Sequence, residues 1–308
     1  MPKLIVQNEL YIEPNSNCNL NCRMCYVEKK DQRIPEEELQ SFISRFARYN
    51  HDNFSLYWCG GGEVFLYKPF TKIVNDVDGK YDCIHKIQTN GTMDLLDRFE
   101  TLRNKTFYVS IDFPKYQHEW FRGKGYFEKS ISFCRKVVSK GGNLIIRTLV
   151  TKNNIGSFNN VERQICKLLG TRRFRLEPTF PYKNEEIRRY SQISPSFSKK
   201  DIDDEWLLDD PAGLFYDKNS NNYSEFGEDV LSLSLLSDRN VYPCCEGLIK
   251  IGNINTPLDQ LYRKLYESKT ICKACPRFNE CFGVIHQRIR HEMGRQNHSL
   301  HNQGNNHP

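Results

Sequence analysis

Residues 9–26 read ELYIEPNSNCNLNCRMCY, a short β-like run (Glu9 to Pro14) followed at once by three cysteines, Cys18, Cys22 and Cys25, in the spacing CxxxCxxC. On a loop this spacing directs three sulfurs at one point, enough to hold three corners of an iron–sulfur cubane and leave the fourth iron open. An open iron can bind a small molecule and pass it one electron. The plainer readings are a zinc site or three unrelated core cysteines. Zinc usually takes four ligands in paired CxxC units, and no fourth ligand lies nearby in the sequence.

Outward from this loop, β-like runs alternate with amphipathic patterns. Six strands are expected: Glu9 to Pro14, Phe54 to Cys59, Cys83 to Asn90, Thr106 to Asp112, Leu144 to Val150 and Phe174 to Thr179. Between them, Leu39, Phe42, Ile43 and Phe46 share a helix face after Pro35, and Phe127, Ile131, Cys134 and Val138 step by helical spacing. Gly79, Gly141 and Gly170 each follow a periodic run, as left-handed helix ends require. This alternation predicts an α/β fold with a parallel sheet, either a partial barrel or an open sheet, whose site lies at the C-terminal ends of the strands. Both the cysteine loop and the run Gly60 to Glu63 follow strands directly.

CxxxCxxC after the first strand, with a following Gly-Gly-Glu, resembles the radical S-adenosylmethionine enzymes, and the resemblance covers most of the chain. It implies a partial (β/α)6 parallel barrel. It also implies a [4Fe–4S] cluster on Cys18, Cys22 and Cys25, whose open iron is chelated by S-adenosylmethionine, and reductive cleavage of that cofactor to a 5′-deoxyadenosyl radical. Gly61, Gly62 and Glu63 match the family's Gly-Gly-Glu, whose glycines admit the methionyl part while polar groups hold its ammonium. Val64 stands where the family often has proline. Thr89, Asn90 and Gly91 resemble its TNG, and Ser110 with Asp112 its polar pair on strand four. Arg147 and Asn153 are placed to reach the cofactor carboxylate or ribose. Each of these also reads as a capped strand end or a core hydrogen bond.

A second group of cysteines stands near the C-terminus. Cys272, Cys275 and Cys281 form CxxCxxxxxC, with Cys244 and Cys245 upstream. This resembles the SPASM extension of the same family or its shorter twitch form, and implies a small C-terminal domain with a second, auxiliary [4Fe–4S] cluster on Cys244, Cys272, Cys275 and Cys281. Ile285 stands where the full SPASM pattern has another cysteine, which favours one auxiliary cluster. A zinc knuckle is the competing reading. Neighbouring side chains of an extended backbone point oppositely, so whichever of Cys244 and Cys245 ligates iron, the other, taken as Cys245, is left for the active site, as a catalytic hydrogen donor of the kind some radical epimerases use, or for the core. Cys59, Cys83, Cys134 and Cys166 read as core residues.

The 308 residues carry 38% hydrophobic side chains and a net charge of +6 spread along the chain. That is enough apolar material for a folded core. It gives no concentrated basic motif for nucleic acid, since the densest cluster is Arg172, Arg173 and Arg175. No run approaches a membrane-spanning length and no signal peptide is evident, which places the chain in the cytoplasm. Expected boundaries are 1–185 for the barrel, 186–230 for a polar and aromatic bridge, 231–285 for the auxiliary-cluster domain and 286–308 for a disordered tail holding five of the eight histidines. The first strand is expected within about ten residues, leaving no room for a leader-recognition domain of ordinary size, an expectation that favours a small-molecule substrate or a separate partner. The expected function is hydrogen abstraction from a carbon of a small natural product or peptide, ending in dehydrogenation, cross-linking or epimerisation. A reduced flavodoxin or ferredoxin is the expected electron donor. The alternative is an iron–sulfur scaffold or electron carrier, against which the Gly-Gly-Glu run argues.

Overall fold

The computed structural model describes residues 4–25, 27, 29–51, 53–149, 158–179, 229–243 and 249–273. All six expected strands are present, five with ends shifted by one or two residues and the first beginning five residues earlier than expected: β1 (Leu4–Ile12), β2 (Phe54–Trp58), β3 (Cys83–Thr89), β4 (Lys105–Ser110), β5 (Asn143–Leu149) and β6 (Arg175–Thr179). They are parallel neighbours in chain order. Among the described residues five α-helices lie between them, α1 (Glu36–Tyr49), α2 (Phe70–Asp78), α3 (Lys115–Arg122), α4 (Tyr126–Ser139) and α5 (Phe158–Leu169).

The sheet does not stop at β1. A further strand, β7 (Asp229–Leu235), runs parallel to β1 on its free side, and β8 (Asn240–Tyr242) and β9 (Gly252–Asn253) add antiparallel, giving the open order β6-β5-β4-β3-β2-β1-β7-β8-β9. β7 is not among the six strands expected from the sequence, and it crosses the boundary placed between the polar bridge (186–230) and the auxiliary-cluster domain (231–285). Its DVLSLSL alternates leucine with serine, a half-buried strand pattern, and Leu233 and Leu235 are indeed buried. A further helix, α6 (Leu258–Lys273), the last among the described residues, returns to α1. There Tyr262 stacks on Tyr49 with centroids 4.6 Å apart, while Arg45 donates to the carbonyls of Thr256 and Ile254.

Period-two alternation sorts the strands into two faces. Leu10, Ile12, Leu56, Trp58, Ile87, Phe107, Val109 and Ile146 are buried in the core shared with Leu39, Phe42, Ile43, Phe46, Phe127, Ile131 and Cys134 of the helices. The opposite, concave face carries Tyr11, Tyr57, Gln88, Tyr108 and Arg147, which touch one another across the strands. Of the expected helix ends, Gly141 (φ +80°) and Gly170 (φ +67°) are left-handed, but Gly79 has φ −71° and simply continues helical geometry. Cys83 and Cys134 are core residues as expected, whereas Cys59 and Cys166 are only partly buried. Arg172, Arg173 and Arg175 are exposed.

At the N-terminal end of the strands a buried polar triad joins α2 to β3 and β4. Lys105, fully buried, binds Asp78, and His85, also fully buried, lies with Nε2 3.1 Å from Asp78 Oδ1. Trp58 Nε1 donates to His85 Nδ1 at 3.0 Å. An indole nitrogen only donates, so Nδ1 must accept, and His85 is the neutral tautomer with its proton on Nε2. Burial holds its pKa below the usual value. Burial works against the Asp78 charge, yet hydrogen bonds from His85 and Lys105 bring its pKa down to about 2. Both shifts have the same sign in stability. Below the ordinary histidine pKa the unfolded chain takes a proton that folded His85 refuses, and below the ordinary aspartate pKa it takes one that Asp78 refuses. The melting temperature is therefore expected to fall as pH drops from 6.5 and again from 4 towards 2. Asp78→Asn, which strands the Lys105 ammonium, is expected to cost ~3–5 kcal/mol at pH 7. That difference should shrink towards pH 2, and a difference independent of pH in thermal unfolding would contradict the assignment.

Candidate active site

The loop after β1 is closed at its base by backbone bonds between Pro14 and Ile34 and between Ser16 and Gln32. Within it, Cys18, Cys22 and Cys25 are partly buried, and the Cys25 N–H donates to the Cys22 carbonyl at 3.0 Å. Burial raises the pKa of Cys18 and of Cys22, and each thiol also feels the charge of Cys25.

The turn after β2 is clamped to this loop. Asn15 Nδ2 donates to the Glu63 carbonyl (3.2 Å), the Glu63 N–H to the Asn17 carbonyl (2.7 Å), and the Asn17 N–H to Asn15 Oδ1 (2.9 Å). Gly62 lies in the clamp, where a Cβ would sit 2.4 Å from the Asn17 carbonyl oxygen and 2.6 Å from that of Asn15. The turn enters through Gly60 at φ +118°, a conformation that side chains rarely adopt. The Gly61 N–H donates to Glu13 Oε2 at 2.6 Å, and the other oxygen of Glu13 accepts from the Ser237 hydroxyl in the β7–β8 turn.

Glu63 is 2% exposed. Its carboxylate accepts from the Thr89 hydroxyl (2.7 Å), the Asn90 N–H (2.8 Å) and the Phe65 N–H (3.3 Å). Burial raises its pKa, and these donors only partly offset that. The side chain thus ties the turn to the end of β3, while its backbone faces the cysteine loop. Asn90 completes the ring: Nδ2 donates to Asn19 Oδ1 (2.9 Å) and lies 4.0 Å from Cys18 Sγ. Ser130 of α4 holds the Asn90 carbonyl from behind at 2.8 Å.

The other expected cofactor residues are placed differently. Asp112 is fully buried and committed to Arg122 Nε (2.6 Å) and the Leu149 N–H (3.0 Å). Arg147 lies deeper on the concave face, 4.5 Å over the Tyr108 ring, donating to Gln88 (3.1 Å) and Glu177 (3.3 Å). Ser110 ends β4 in register with Arg147. Asn153, Cys244, Cys245, Cys275 and Cys281 lie outside the described residues, and of Cys272 only the backbone position in α6 is described.

A clamped three-cysteine loop against a Gly-Gly-Glu turn at the C-terminal edge of a parallel sheet is matched by a family model. The model of the Radical SAM superfamily matches residues 12–165. The chain belongs to that superfamily. Radical SAM enzymes use a [4Fe–4S] cluster and S-adenosylmethionine. Among solved structures, the chain is similar to anSMEcpe with bound AdoMet and Cp18Cys peptide, with a TM-score of 0.63 and 22% identity over 91% of this chain and 88% of that one. It is also similar to Streptococcus suis SuiB bound to precursor peptide SuiA, with a TM-score of 0.55 and 15% identity over 90% and 71%. An uncharacterized protein of Archaeoglobus fulgidus is 28% identical over 126 residues, which span 38% of this chain and 29% of that protein.

The residues fit the radical SAM cofactors. Three thiols on one loop are the donor set of an iron–sulfur cluster, and loss of their protons on ligation offsets the burial that raises Cys18 and Cys22. Among the described residues no three His, Cys, Asp or Glu side chains converge as ligands of a single metal ion do. No helix of the described residues is long and apolar enough to cross a membrane.

Several residues at this site escaped sequence reading. Glu13 had a usable signal, standing in phase with Glu9 and Tyr11 at the end of β1. Arg122 had none, because it is the last residue of α3 (KYQHEWFR) and reaches the loop only through the fold.

Proposed function

We propose that this protein is a radical SAM enzyme that abstracts hydrogen from a carbon of a peptide substrate. The observation that carries the reading is the ring of contacts joining the cysteine loop, Gly62, Glu63 and Asn90. An electron carrier using the same thiols has no need of such a pocket. A cluster held by Cys18, Cys22 and Cys25, with S-adenosylmethionine against the Gly61–Glu63 turn, would supply one-electron reductive cleavage of that cofactor and hydrogen-atom abstraction from the substrate. Cys18, Cys22 and Cys25 hold the cluster. Gly61 and Gly62 let the turn's backbone approach the cofactor, and Glu63 fixes that turn and the Asn90 side chain. The tyrosines and Arg147 of the concave face close the floor below and exclude water. A peptide is favoured over a small molecule because anSMEcpe and SuiB, which share the fold, are both bound to peptides.

The remaining assignments belong to the same reading. Residues 1–185 form the barrel, 186–230 a bridge, 231–285 an auxiliary-cluster unit with Cys244, Cys272, Cys275 and Cys281 as ligands, and 286–308 a tail, with β7, which crosses the 230/231 boundary, paired into the barrel's own sheet. Cys245 is left to return hydrogen to a substrate radical in an epimerisation; otherwise the auxiliary cluster takes the second electron of a dehydrogenation or cross-link. Ser110 and Arg147 keep their place on the cofactor side of the barrel, whereas Asp112 is spent on Arg122 and the Leu149 N–H. A reduced flavodoxin or ferredoxin supplies electrons in the cytoplasm.

The test is anaerobic reconstitution followed by iron and sulfide analysis and a 5′-deoxyadenosine assay with dithionite. About eight irons per chain and formation of 5′-deoxyadenosine are expected. About four irons would remove the auxiliary cluster from the proposal. S-adenosylmethionine that binds but is never cleaved would remove the enzyme.

A further inference from the structure

The cysteine loop is built against the last turn of α3. The Arg23 N–H donates to the Phe121 carbonyl at 2.8 Å, the Arg23 guanidinium lies 4.7 Å over the Trp120 ring, and Met24, Phe121 and Leu149 form a small apolar cluster on which Cys22 packs. The next residue, Arg122, is a cation with only 14% of its side chain exposed. Asp112 holds it through Nε at 2.6 Å and is itself anchored by the Leu149 N–H. His118 beside the pair accepts the Asp112 N–H on Nδ1 and, with its pKa lowered to about 4 mainly by burial, adds no charge. Lys29 and Glu63 are the charges felt by Cys18, Arg122 and Asp112 those felt by Cys22.

A buried cation needs a reason to stand beside a thiol loop, since apolar packing of α3 alone would be satisfied by Phe121. We propose that Arg122, oriented by Asp112, is a positioning residue that sets the reduction potential of the cluster held by Cys18, Cys22 and Cys25. The inference rests on the cluster assignment above. One-electron reduction adds a negative charge to the cluster, and a fixed cation at low dielectric favours that form, while Asp112, set back behind the guanidinium, opposes it more weakly. Arg122 acts through the field alone and touches no reacting atom.

The two charges predict shifts of opposite sign, which loosening of the fold cannot imitate. The measurement is the cluster's midpoint potential by EPR-monitored titration of the reconstituted full chain. Arg122→Gln should make reduction about tenfold less favourable, a shift of about 59 mV to more negative potential. Asp112→Asn, which keeps an acceptor for the Leu149 N–H, should shift it to more positive potential, and Arg122→Lys should restore most of the wild-type value. Should the glutamine variant fail to fold, Asp112→Asn and Arg122→Lys carry the test. Shifts of the same sign in Arg122→Gln and Asp112→Asn, or variant potentials all equal to wild type, would overturn the role of Arg122 and leave the cluster assignment standing. A wild-type chain that loads no cluster on the loop would overturn both.

Discussion

Cys22→Ala is expected to leave a folded chain that loads no S-adenosylmethionine-binding cluster and forms 5′-deoxyadenosine only at background. Three thiolates are the whole protein ligand set for this cluster, so two ligands leave a second iron open and the cubane unsupported. The fold should survive, because Cys22 is partly buried at the edge of a small cluster with Met24, Phe121 and Leu149, and the helix-backed core on the other sheet face does not include it. Circular dichroism and the melting temperature of the apo variant should match wild-type apo protein within about 1–2 kcal/mol. The same outcome is expected for Cys18→Ala and Cys25→Ala. Cys83→Ala, in the core, should instead cost stability and retain the cluster. A Cys22→Ala chain that still cleaves S-adenosylmethionine would dismiss the loop as the catalytic ligand set.

Gly62→Ala is expected to be nearly as damaging by a different route. The added methyl would overlap two backbone carbonyl oxygens, of Asn17 and Asn15, that belong to the loop carrying the cysteines. A flexible side chain could swing away, but these carbonyls cannot move without breaking the Glu63–Asn17 and Asn15–Glu63 bonds. Overpacking of this kind typically costs ~1–3 kcal/mol. The larger effect should be on function, a loss of S-adenosylmethionine binding of at least about 100-fold, the order expected when a site is displaced by about an ångström. Gly79→Ala is the control. Its backbone is helical and its Cβ would meet nothing closer than 3.5 Å, so it should be neutral or stabilising by ~0.4–1 kcal/mol. Equal S-adenosylmethionine affinity in Gly62→Ala and Gly79→Ala, by isothermal titration, would show that the turn does not approach the cofactor.

The parts of this architecture that repeat were legible in the sequence. Six strands and the helix faces of Leu39 to Phe46 and Phe127 to Val138 could be read because burial imposes a period, and the cysteine loop because ligation imposes a spacing. β7 had a usable alternation but sat beside a long aperiodic stretch and was missed. What could not be read is the pairing of polar groups across the fold. Asp112 and Arg147 stand at strand positions where a cofactor ligand is reasonable, yet their partners, Arg122 and Glu177, come from a helix after β4 and from the next strand. Glu63 was found by its motif, but its commitment to Thr89 and Asn90 depends on how two strand ends meet. Period and spacing are local in the chain, whereas the direction of a carboxylate is decided by whatever tertiary packing brings to it.

Glu13 makes the two halves of this sheet inseparable. One of its carboxylate oxygens carries the Gly61 turn and the other the Ser237 hydroxyl, while its own N–H is taken by Leu235. The segment matched by the family model ends well before β7, yet a fragment cut there would expose the whole free edge of β1 as a row of unpaired donors and acceptors, a template for aggregation. It would also release one arm of the carboxylate that holds the glycine turn in place. The sequence match therefore marks where the family's shared chemistry is encoded, whereas the contacts that hold the glycine turn in place extend to Ser237.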